Sequence, residues 1–106
     1  MALTRDFQET IRARAERDAK FRKELLREGV ECMLGGDIQT AKTFLRDYIN
    51  ATVGFDELAA ATHKSPKSLM RMLAPSGNPQ ADNLFAIVAY LQKSEGLRLT
   101  TRSARR

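Results

Sequence analysis

The chain has 106 residues, 42% of them hydrophobic and 29% charged, which is enough for one modest core but not for two independent ones. The composition is too apolar for a disordered segment, yet no apolar run approaches the roughly 20 residues needed to span a bilayer. The net charge of +5 is concentrated at one end: residues 97–106 hold four Arg and no acid, while residues 1–36 carry eight basic and seven acidic groups and residues 37–96 carry six of each.

Taken in chain order, the apolar spacing is helical and predicts about six helices in an all-α bundle. A first helix over about Asp6 to Ala15 places Phe7 and Ile11 four residues apart. A second starts on Asp18 as N-cap and runs to Leu34, with Phe21, Leu25, Leu26, Val30, Met33 and Leu34 on one stripe; Gly35-Gly36 supplies its left-handed end. Asp37 caps a third, to about Thr52, in which Ile38, Ala41, Leu45, Tyr48, Ile49 and Thr52 recur at helical spacing, and Gly54 breaks it. FDELAAATH is a short fourth helix, Ser65 to Ala74 a fifth, and Gln80 to about Lys93 a sixth with Leu84, Ile87, Val88 and Leu91 inward. The remainder, EGLRLTTRSARR, reads as a short strand or a loose basic arm. Residues 1–36 are thus expected to form a helical extension packed on a core of residues 37–99, followed by a basic tail, 100–106.

The stretch HKSPKSLMRMLAPSGNPQ, His63 to Gln80, is the most informative. Two short helices joined by a tight turn have the ingredients of a helix-turn-helix, whose second helix enters the DNA major groove. Ala59 is small where the helices approach, and Leu58, Leu69 and Met72 can fill the shared core. Ser65 can cap the second helix and Pro66 suits its first position, where the missing N–H has no partner to lose. With Leu69 and Met72 inward, Pro66, Lys67, Met70 and Arg71 face outward. Lys and Arg are donor-only groups that match guanine O6 and N7, and a methionine or proline surface can meet a thymine methyl. No carboxylate occurs between Ala59 and Gln80. In the following loop Gly77 permits positive φ, and the backbone N–H groups of Ser76 to Asn78 can meet a phosphate.

The run FDELAAATHKSPKSLMRMLAPSGNPQADNLFAIVAYL resembles the phage-repressor (Xre-like) helix-turn-helix family, and SLMRMLAPSGNP looks like the branch of addiction-module antidote proteins. The resemblance extends from about Ile38 to Leu99 and implies a λ-repressor-like DNA-binding domain. It implies base reading by Pro66, Lys67 and Arg71 with Met70 beside them, and phosphate contacts near Phe55, Ser65, Ser68 and the Ser76 to Asn78 loop. Two positions depart from the pattern: His63 stands where the family carries Gly in its turn, and Lys64 where it buries Val or Leu. Lys64 is therefore expected to reach outward to a phosphate.

Enzyme chemistry has little to draw on. His63 and Cys32 are the only residues of their types, too few for a tetrahedral zinc site; His63 reads as a turn residue and Cys32 as a small packed side chain. No cofactor is expected. The amino-terminal MALTRDFQET lacks an apolar signal region, and a single cysteine forms no internal disulfide, so the expected compartment is a reducing cytoplasm. The expected partners are double-stranded DNA and a second copy of the chain, with residues 4–36 as the candidate dimer interface. Resemblance adds a co-encoded toxin, which Asp6, Glu9, Glu16, Asp18, Glu24, Glu28 and Glu31 could face. A protein-interaction module whose helix-turn-helix shape binds no DNA is the alternative.

Overall fold

A computed structural model describes residues 5–105 of the chain, with side chains from residue 9 onward. The expectations placed on the side chains of Asp6 and Phe7 and on Arg106 lie outside the described residues. Six helices follow one another: α1 (Arg5–Arg17), α2 (Ala19–Leu34), α3 (Ile38–Ala51), α4 (Gly54–Thr62), α5 (Pro66–Leu73) and α6 (Ala81–Glu95). The all-α expectation is borne out, and there is no strand among the described residues.

Local chemistry explains most of the boundaries. Asp18 breaks α1 from α2 and caps the latter, its Oδ1 accepting from the Phe21 N–H at 3.1 Å. That bond holds the Asp18 carboxyl below its usual range. Gly36, at φ +84°, takes the left-handed position that ends α2, while the Asp37 N–H reaches back to the Cys32 carbonyl at 2.9 Å. Asp37 then caps α3 by accepting from the Thr40 N–H at 3.1 Å.

One continuous core runs from Ala15 and Leu26 through Leu45, Ile49, Leu58 and Leu73 to Ile87 and Leu91. Helix α3 is its axis, in contact with α1, α2, α4 and α5; α6 closes the bundle against α4. Each fully buried leucine contributes about 1.5–3 kcal/mol relative to exposure. Helices α1 and α2 contribute Ala15, Leu25 and Leu26 to this core. Two expected stripe residues fall outside it: Leu34 is 69% exposed and Ile38 36%. They flank the α2–α3 turn.

A polar crosslink joins distant parts of the sequence. Arg22 on α2 donates from Nε to both Glu95 oxygens, at 3.0 and 3.3 Å, and from Nη1 to the Ala15 carbonyl at 2.9 Å. The Tyr48 hydroxyl donates to the same carboxylate. Glu95, the last residue of α6, is thereby tied to α2 and α3. Gly96, at φ +68°, turns the chain. Leu97 and Leu99 then pack against the core, and the Leu99 N–H donates to Gln92 Oε1 at 2.7 Å. The segment expected as a strand or a loose arm is thus a docked arm as far as Leu99, with an exposed end over 100–105.

Candidate nucleic-acid interface

The α4–α5 connection consists of His63, Lys64 and Ser65. His63 adopts the left-handed conformation (φ 57°, ψ 39°), which His tolerates better than bulkier or β-branched residues, and the Lys64 N–H returns to the Ala59 carbonyl at 3.0 Å. Ser65 Oγ accepts from the Ser68 N–H at 3.1 Å and Pro66 occupies the first helical position, so α5 starts where its own residues set it.

Helix α5 is eight residues long and divided lengthwise. Leu69 and Leu73, one turn apart, are buried to 1% and 0% exposure. Met72, expected at the inner position, is only half-buried, and Leu73 occupies that place. On the opposite face Lys67, Met70 and Arg71 are exposed together at spacings of three and four residues, with Met70 50% exposed. Lys64 and Ser65 stand exposed at the amino end, and Pro66 and Ser68 are half-covered. Among the described residues none of Lys64, Lys67 and Arg71 forms an ion pair. The face is therefore cationic and its donors are unspent.

Phe55 stands apart from the other expected phosphate-contact residues. Its side chain is 8% exposed and lies in the core, which leaves only its backbone N–H, in the first turn of α4, to meet a phosphate.

The loop after α5 differs from expectation in a physical detail. Gly77 does not take positive φ, unlike Gly36, Gly54 and Gly96. It is required because a Cβ there would lie 2.2 Å from the Arg71 carbonyl oxygen and 2.5 Å from that of Met72. Its N–H is also committed, donating to the Ala74 carbonyl at 2.8 Å, so it is not offered to a phosphate. Ser76 and Asn78 on either side remain exposed.

Comparison with family models, with curated proteins and with solved structures finds no match to this chain. The geometry has to carry the functional reading.

Sequence reasoning missed two residues. Lys42, on α3, is 1% exposed, and its Nζ donates to the carbonyls of Ala74, Pro75 and Gly77 at 3.0, 3.2 and 2.7 Å. One turn further on, Arg46 Nη1 donates to the Leu73 carbonyl. The signal was present: Lys42 sits inside the apolar stripe of α3, beside Ala41 and three residues before Leu45.

Two other groups of polar or reactive side chains among the described residues are already engaged or buried. An open recess of about 360 Å³ is bordered by Arg22, Tyr48, Glu57 and Glu95, but Glu95 is held as described and Glu57 accepts from the Tyr90 hydroxyl at 2.6 Å. Burial pushes the Cys32 thiol up, away from the thiolate a nucleophile needs. Among the described residues no group of three His, Cys, Asp or Glu is arranged to hold a metal, and no helix is long and apolar enough to cross a membrane.

Proposed function

We propose that this chain is a sequence-specific double-stranded DNA-binding regulator, a repressor of the helix-turn-helix type, with α5 as the reading helix. The observation that carries the reading is the outward face of α5: Lys67, Met70 and Arg71 exposed, without ion pairs, on a helix whose other face is locked into the core. In the major groove Lys67 and Arg71 donate to guanine O6 and N7, and Met70 and Pro66 meet thymine methyl groups. Lys64, Ser65, Ser68, the exposed Ser76 and Asn78 and the Phe55 N–H contribute phosphate contacts that set the register. A single α5 spans too few base pairs for tight specific binding, so two copies act on a palindromic site with half-sites one helical turn apart.

The antidote branch of the resemblance adds a toxin partner. The α2 surface that would receive it is mixed rather than acidic, because Arg27 binds Glu24, Glu28 and Glu31 at 2.8, 3.1 and 2.9 Å. A plain repressor is therefore the favoured form of the proposal, and co-purification with a neighbouring small gene product tests the other.

The deciding experiment is fluorescence anisotropy on DNA from upstream of the gene, across a salt series. Lys67→Ala and Arg71→Ala are each expected to weaken specific binding by about 1–3 kcal/mol with the fold intact. Wild-type affinity in the double variant would refute the assignment of α5, and absence of any salt-sensitive duplex binding by the wild type would favour a protein-interaction module.

A further inference from the structure

A lysine buried to 1% exposure with no carboxylate partner among the described residues needs a reason to be there. An ammonium has three N–H donors, and Lys42 points them at three carbonyls, Ala74, Pro75 and Gly77, so its donor capacity is matched within the protein. Those carbonyls lie just past the carboxyl end of α5, where a helix leaves its last acceptors without intrahelical partners. Arg46, one turn along α3, takes the Leu73 carbonyl itself. Two cations thus sit at the negative end of the α5 dipole. They act with Gly77, whose lack of a side chain lets the loop close against the Arg71 and Met72 carbonyls.

An eight-residue helix has too few internal bonds to hold its own direction, so its orientation comes from its ends and its buried face. The amino end is set by Ser65 and Pro66, the buried face by Leu69 and Leu73. Only the carboxyl end depends on charged groups from another helix. Base readout is demanding of placement: supporting groups must hold a reading side chain to within about 0.5 Å of its productive position.

We propose that Lys42, assisted by Arg46, is a positioning residue that anchors the carboxyl end of α5 to α3 and so sets the angle at which Lys67 and Arg71 meet a base pair. The proposal rests on the DNA-reading assignment of α5 and concerns residues that never touch DNA. It separates two quantities. Non-specific affinity depends on the exposed cations and stays as it is when the anchor is removed, whereas specific affinity depends on their alignment and falls.

The test uses Lys42→Met in the full chain, which keeps the length of the side chain and removes its charge and donors. Hydrogen exchange is measured first, without DNA. The amides of Ala74 and Gly77, which donate to the Arg71 and Ala74 carbonyls, are expected to exchange about tenfold faster, while those of α2 are unchanged, because local and global openings report separately. Uniformly faster exchange throughout the chain would overturn the proposal by making Lys42 a general stabiliser. On operator DNA, specific affinity is expected to fall about tenfold, the equivalent of one lost base contact, with non-specific affinity and the salt slope unchanged. A slope reduced by about one would mean that Lys42 touches a phosphate, which the proposal denies. Should Lys42→Met fail to fold, Arg46→Met leaves the buried lysine in place and is expected to show the same pattern with a several-fold loss; wild-type exchange and affinity there would refute the anchor. A wild-type chain that binds no duplex refutes the DNA reading. A wild type that binds, with Lys42→Met binding equally well, refutes the positioning role alone.

Discussion

Replacing Glu95 with Gln tests how the two ends of the sequence are held together. The Glu95 side chain is 8% exposed and that of Arg22 22%, and their pairing uses both carboxylate oxygens. Gln keeps the shape and one acceptor oxygen but brings an amide donor towards the guanidinium. Hydrogen bonds to charged groups contribute about 1.5–3 kcal/mol each, and water at the partly exposed Arg22 recovers some of what is lost, so a net destabilisation of about 2 kcal/mol is expected. The effect should depend on pH. Burial alone raises the Glu95 carboxyl, but the hydrogen bonds from Arg22 and Tyr48 outweigh it and hold the group below its ordinary value. A depressed carboxyl stabilises the fold above its unfolded pKa, about 4.3 for Glu. That contribution is lost as pH falls through the folded value. Burial, with the carboxylate beside it, pushes the Tyr48 phenol up, so Tyr48 stays a donor throughout this range. Urea unfolding at pH 7 and again in acid measures the difference between wild type and Glu95→Gln. The difference should be largest at neutral pH and shrink in acid. A constant difference at both would refute the assignment of the ionised pair as a stabilising element.

Two further outcomes are expected. His63→Gly should raise thermal stability by about 0.5–1 kcal/mol by relieving the left-handed strain, while His63→Val should lower it by at least about 1 kcal/mol, because a β-branched residue is poorly accommodated at φ 57°; calorimetric midpoints that do not separate the two variants would show the turn to be free of strain. Truncation after Leu99 should leave the fold intact, since 100–105 is exposed, yet weaken specific and non-specific DNA binding together and make the salt dependence shallower. Titrations at several salt concentrations check this, and an unchanged slope would mean that the terminal arginines contribute nothing to binding.

What could be read in advance was local. Asp18, Asp37, Ser65 and Pro66 act within three residues of themselves, so the sequence around each is enough to place a helix start. His63 could be read as a left-handed turn residue for the same reason. The inward set of α6, Leu84, Ile87, Val88 and Leu91, was legible because a long helix repeats its phase. Helix α5 makes only about two turns, too few to fix that phase to a single residue, and Leu73 took the place expected for Met72. The reason for Gly77 was hidden because it lies in the approach of a neighbouring carbonyl rather than in the residue's own dihedral angle. The partners of Lys42 and Arg22 were hidden for a related reason: the position of Lys42 in an apolar stripe could be read, but carbonyls 32 to 35 residues away and a carboxylate 73 residues away could not, because periodicity carries no information about such pairs.

The lengthwise division of α5 has a consequence for how such a chain can change. Everything that shapes the helix is either turned inward or supplied from its flanks, by Leu69, Leu73, Ser65 and Lys42, so Lys67, Met70 and Arg71 have no part in holding it in place. Substitutions at those three positions are nearly independent of stability. On the proposed DNA-reading role of α5, a duplicated copy could acquire a different target without first passing through an unstable form, and libraries randomised at Lys67, Met70 and Arg71 should yield mostly folded members.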